Sequence, residues 1–115
     1  GLINENLYIA MDNELLSRFT QHIKPVIIDK YLVAYRSYPD TKTSKQLSLG
    51  YKEIDQTRLS LIRNKHMRLK YRKQSGLNWL SLFENKNFSK GKRIEYLKNA
   101  ILIHPMVILS CLKKL

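Results

Sequence analysis

Apolar positions follow a helical spacing in some stretches of this chain and a strand-like run in another. Leu15, Leu16, Phe19 and Ile23 recur at intervals close to three and four residues, which places side chains on one helix face. Asp12 stands ahead of them as an N-cap, and Glu14 falls in the first turn, where the helix dipole favours a carboxylate. Residues 1 to 7 read as a loop, because Asn4, Glu5 and Asn6 favour turns. The helix should close near His22, before Pro25. Residues 25 to 36 change character. They are rich in β-branched and aromatic side chains, and Asp29 and Lys30 divide two apolar runs. That pattern predicts two short strands, or one strand with a tight bend.

Residues 37 to 46 are polar, with Pro39-Asp40 marking a turn. From 45 to 73 the spacing is helical again, with Tyr51, Ile54, Leu61, Ile62 and Leu69 as one broken stripe. Gln74, Ser75 and Gly76 should stop that helix. Trp79, Leu80, Leu82 and Phe83 then predict a short apolar helix, and residues 85 to 91 a linker. Residues 92 to 104 form a further helix with Ile94, Leu97 and Ile101 on one face. Pro105 breaks it, and 106 to 115 continue as a short apolar helix. The expected fold is an α/β piece, a short strand pair with one helix, followed by a mainly α-helical tail. The expected division is a piece over 1–44 and an extension over 45–115.

Charge sharpens the division. Residues 1 to 36 carry four basic and four acidic side chains, whereas 37 to 115 carry 17 basic and 5 acidic, so the net +12 lies in the second stretch. Such a tail attracts nucleic acid, a nucleotide-linked substrate or an anionic membrane. A chain of 115 residues that is 43% hydrophobic fits one folded domain, not wholesale disorder. Cys111 has no partner for a disulfide, and one cysteine with three scattered histidines cannot build a four-ligand zinc site. No apolar run approaches the roughly 20 residues that span a bilayer. The chain opens on Gly1 without a secretory pattern, and the expectation is a fragment of a longer parent.

Four pieces carry the candidate chemistry: Gly1-Leu-Ile-Asn-Glu5, then Ala10-Met-Asp-Asn-Glu-Leu-Leu-Ser-Arg18, then Ile27-Ile-Asp-Lys-Tyr-Leu-Val-Ala-Tyr-Arg36, then Ser37-Tyr-Pro-Asp-Thr-Lys-Thr43. Their order and spacing resemble the acceptor-side half of bacterial family 2 inverting glycosyltransferases, whose catalytic domain has a GT-A fold. The resemblance implies that Asp12 is the base that takes the acceptor hydroxyl proton, which the start of a helix would keep ionised. It places Glu5, Glu14, Arg36 and Tyr38 around the substrates, with Arg36 suited to a diphosphate or an acceptor anion. Arg18 faces an acidic neighbour on the helix. Two positions depart from the family pattern: Tyr38 replaces a common histidine and Leu16 a common tryptophan. The resemblance also implies a divalent metal (Mg or Mn) in the full-length enzyme and none in this stretch, since no Asp-x-Asp and no glycine-rich phosphate loop occurs. Donor and acceptor would be a nucleotide-sugar and a glycan or lipid-linked acceptor.

The tail admits other readings. Residues 100 to 112 are apolar, broken by His104-Pro105 and followed by Lys113-Lys114. The run is too short to span a bilayer and suits a peripheral membrane contact through residues 92–115. Alternatively, its apolar faces pack on the rest of the chain or form a homodimer. A basic nucleic-acid-binding module without catalysis is the competing function. Against it, no helix-turn-helix, RNA-binding sheet or zinc-finger signature occurs, and the basic residues from Arg58 to Lys73 surround the helix axis. His22 and His66 read as surface residues and His104 as a helix-end residue. Cys111 reads as a small buried hydrophobe, consistent with a reducing cytoplasm, the expected location, at the inner face of the membrane.

Overall fold

Six helices and no strand make up the regular structure among the described residues. The computed structural model describes the backbone of residues 2–36, 38 and 40–112, and side chains as far as Leu109. The helices are α1 (Met11–Phe19), α2 (Lys42–Lys45), α3 (Leu47–Leu61), α4 (Lys65–Glu84), α5 (Lys90–Ile103) and α6 (Val107–Leu112). The contacts divide the chain into two compact units, Gly1–Leu61 and Ile62–Leu115, so α3 sits with the first. Pro39, Lys113, Lys114 and the Cys111 side chain lie outside the described residues.

In the first unit α1 packs against α3. Of the expected stripe, Leu15 is half-buried while Leu16, Phe19 and Ile23 are exposed, so it is not the inward face of α1. That face is Ala10, Met11, Glu14 and Arg18, at the same helical spacing but rotated. Ion pairing explains the rotation. Glu14 and Arg18, four residues apart, bond each other and can be turned inward together. The helix ends at Phe19, and Thr20 closes it by donating its N–H to the Leu16 carbonyl.

The expected strand pair over 25–36 is absent. Every residue from 24 to 36 is exposed, and none belongs to a strand. Ile27 is 92% and Val33 87% exposed. Strand propensity alone does not make a strand: the ladder needs a neighbouring chain for its N–H and C=O groups, and an isolated two-stranded hairpin is marginal in water. The segment carries instead a local bond from the Lys30 N–H to the Ile28 carbonyl. The α/β expectation is therefore replaced by an all-helical architecture.

The second unit is a helical hairpin. The single stripe expected over 45–73 is two helices, separated at residues 62–64, where the Asn64 side chain caps α4 by accepting the Met67 N–H at 3.1 Å. Gly76 does not stop α4. A Cβ there would stand 3.0 Å from His104 Cβ, so glycine lets the chain beyond α5 approach the helix closely. The core gathers around Trp79, Leu80, Tyr96 and Ala100. Phe88, from the 85–89 connection, meets Tyr96 edge-on at 5.2 Å. Arg93 donates to the Phe83 carbonyl at one end of the hairpin, and Arg72 to the Ile103 carbonyl at the other, both at 2.7 Å.

Candidate functional site

The chemistry-bearing residues of the first unit cluster where the loop over residues 2–10 enters α1. Ala10 occupies the cap position and has no side-chain oxygen to offer the free N–H groups there. A carboxylate from α3 supplies the acceptors instead. Glu53 Oε1 accepts the Tyr8 N–H at 2.9 Å, and Oε2 accepts those of Ile9 at 2.8 Å and Ala10 at 2.9 Å. The Glu53 side chain is 7% exposed. Burial pushes its pKa up, but the three N–H donors and the nearby Lys42 charge outweigh burial and hold it below the ordinary value. Lys42 completes the arrangement. Its ammonium donates to the Tyr8 carbonyl and lies 3.5 Å from the centre of the Tyr8 ring.

Gly50 makes this closure possible. It lies one helical turn before Glu53 on α3, and a Cβ there would fall 2.9 Å from Ile9 Cγ2. Gly50, Glu53 and Thr57 thus form the buried edge of α3. The sequence carries a faint sign of this edge: a glycine, a glutamate and a threonine at helical spacing, where an apolar stripe would be usual.

The sequence-derived residues divide into two groups. Glu14 is buried, at 9% exposure, and its carboxylate receives Arg18 through two bonds, at 2.6 and 3.1 Å. The same guanidinium donates to the Leu2 carbonyl at 2.7 Å, so the pair ties the entry loop to α1. Asp12, by contrast, is exposed. It is the second residue of α1, not its cap, and its Oδ1 accepts the Asn13 N–H at 2.7 Å. Glu5, Arg36 and Tyr38 are exposed as well. No hydrogen bond or ion pair joins Asp12, Glu5, Arg36 and Tyr38 to one another among the described residues. The Tyr38 carbonyl accepts the Thr41 N–H, at the entry to α2.

Among the described residues no group of three His, Cys, Asp or Glu side chains could hold a metal ion. His22 and His66 are exposed, and His104 caps the end of α5. No helix among the described residues is long and apolar enough to cross a membrane. Comparison with protein-family models, curated proteins and solved structures yields no match.

Proposed function

We propose that this chain is the acceptor-side portion of a glycosyltransferase, moving a sugar from a nucleotide-sugar to a glycan or lipid-linked acceptor, with Asp12 as the base. One observation carries the reading. Of the three charged residues in Asp12-Asn-Glu14 and Arg18, two are consumed by each other, and the third stands open in the first turn of an anchored helix. Asp12 is the carboxylate left available to an incoming alcohol.

In the proposed step the Asp12 carboxylate takes the acceptor hydroxyl proton. The acceptor oxygen bonds to the anomeric carbon on the face opposite the leaving group. The bond from that carbon to the diphosphate oxygen breaks, and its electron pair leaves with the nucleoside diphosphate. Exposed Arg36 is placed by the resemblance to meet the phosphate charge. Donor binding would come from a part of a longer protein outside these 115 residues, since they contain neither an Asp-x-Asp nor a glycine-rich phosphate loop. A single cysteine is in keeping with a reducing, cytoplasmic setting.

Asp12→Asn in the full-length parent tests the assignment. Transfer should be abolished while nucleotide-sugar binding by calorimetry persists. Undiminished transfer would remove Asp12 from the chemistry, and joint loss of binding and transfer would make it structural.

The second reading, a basic nucleic-acid-binding module, rests on the 13 basic against 2 acidic residues over 62–115. Base stacking needs presented aromatic rings. Trp79 and Tyr96 are buried in the hairpin core, which counts against it.

A further inference from the structure

Cationic and apolar exposure converge on one end of the second unit's hairpin. The two arginine bonds to carbonyls, Arg93 to Phe83 and Arg72 to Ile103, show that α4 and α5 run antiparallel. The end of α5 closes against Gly76, so the first turns of α4 project past it on the side towards which α5 runs, and α6 packs against α4. Every residue from 63 to 70 is exposed there, including Lys65, Arg68 and Lys70. Met67 and Leu69 are exposed on the same turns, as are Leu102 (76%) near the end of α5, Met106 in the connection that follows, and Ile108 and Leu109 on α6.

Acidic residues are missing from this end. None occurs in 62–73 or 98–112; the unit's two, Glu84 and Glu95, lie at the last residue of α4 and in the second turn of α5. Exposed aliphatic side chains set among cations, with no anion between them, match the chemistry of an anionic lipid surface. Apolar side chains enter the boundary between headgroups and acyl chains, and the cations meet lipid phosphates. A second copy of the chain fits less well, since two acid-free patches of like charge repel. A nucleic acid would leave the aliphatic side chains without a partner.

We infer that this end of the hairpin is a docking surface for anionic bilayers. The inference places the contact on both α4 and α6. Tyr96, Ala100 and Val107, in the stretch read from sequence as the membrane tail, are buried and serve the core. It stands independently of the sugar-transfer reading.

Vesicle co-sedimentation of the 115-residue chain tests it. The chain should bind vesicles of phosphatidylglycerol mixed with phosphatidylcholine, release as ionic strength rises, and ignore phosphatidylcholine alone. Two triple variants separate the contributions: Lys65→Glu/Arg68→Glu/Lys70→Glu and Leu102→Ser/Met106→Ser/Leu109→Ser. Both alter exposed side chains, so helical circular dichroism should match the wild type. Each cation removed weakens binding about 5-fold, so the charge variant should lose at least about 100-fold. The serine variant should lose binding to a similar degree. No binding to the mixed vesicles, equal binding to neutral ones, or wild-type binding by either variant overturns the proposal. Tight RNA or duplex binding without vesicle binding overturns it in favour of nucleic acid.

Discussion

Glu53 receives the backbone N–H of Ala10 at 2.9 Å, across 43 residues of sequence. With the neighbouring bonds from Tyr8 and Ile9, the carboxylate does for α1 what a local capping side chain usually does. The arrangement couples two links of the chain of cause. Long-range packing of α3 fixes where α1 begins, and the start of α1 fixes where Asp12 stands.

Replacing Glu53 by glutamine should expose that dependence. Glutamine keeps one acceptor oxygen but removes the charge, leaving buried N–H groups weakly bonded. Urea unfolding at neutral pH should show a loss of about 2–3 kcal/mol. The pH dependence has a definite sign. The folded-state pKa of Glu53 lies below the ordinary 4.5, so its contribution is complete above that value and fades as pH falls through the lower folded one. The gap between wild type and Glu53→Gln should therefore close in acid. A gap that stays constant across the acid range would show that the carboxylate is not bonded as described.

Gly50 and Ile9 make a second test. Alanine normally improves a helix interior by up to about 1 kcal/mol over glycine. At Gly50 the added methyl would fall 2.9 Å from Ile9 Cγ2, on a β-branched side chain with little freedom to swing away. Overpacking of this kind costs about 1–3 kcal/mol, so Gly50→Ala should destabilise by about 1 kcal/mol net. In an Ile9→Ala background the obstruction is gone, and the same change should become stabilising. A Gly50→Ala that stabilises the wild type would mean that α3 does not approach the loop so closely.

The sequence made local features legible. The helix expected over 92–104 and found at Lys90–Ile103, its break before Pro105 and the pairing of Arg18 with an acidic neighbour all follow from short-range spacing. Features set by distant partners stayed hidden. Nothing near Glu53 announces that its hydrogen-bond donors lie some 43 to 45 residues away. Gly76 reads as a helix stop in isolation, yet it is a packing position because His104 comes up against it. The Leu16–Phe19–Ile23 stripe misled because apolar periodicity ignores an inward ion pair. Residues 25–36 misled more deeply, since their composition favours strands while strand formation depends on a neighbour. Asp12 reads as an N-cap from its neighbours, but it is the second residue of α1, because the cap position falls on Ala10, whose N–H is bonded by the distant Glu53.

Residues 24–36 offer the last test, because exposure and the absence of a hydrogen-bonded ladder make a testable combination. A protease must draw an extended stretch of backbone into its cleft, so it cuts first where that backbone is already free of structure. Three basic residues lie in the segment. Trypsin cleaves poorly before proline, which protects the bond after Lys24, leaving those after Lys30 and Arg36. The cations inside α3 and α5 are guarded by helical bonds that must open first. Brief digestion should therefore release fragments beginning at residues 31 and 37, read by mass spectrometry, before any cut inside α3 or α5. Initial cleavage within those helices, with the bonds after Lys30 and Arg36 intact, would show that the apolar run is covered. The same digest of a longer parent protein adds a contrast: protection of these two bonds there would mean that the exposed Val26–Ile28 and Tyr31–Tyr35 side chains have found a partner surface.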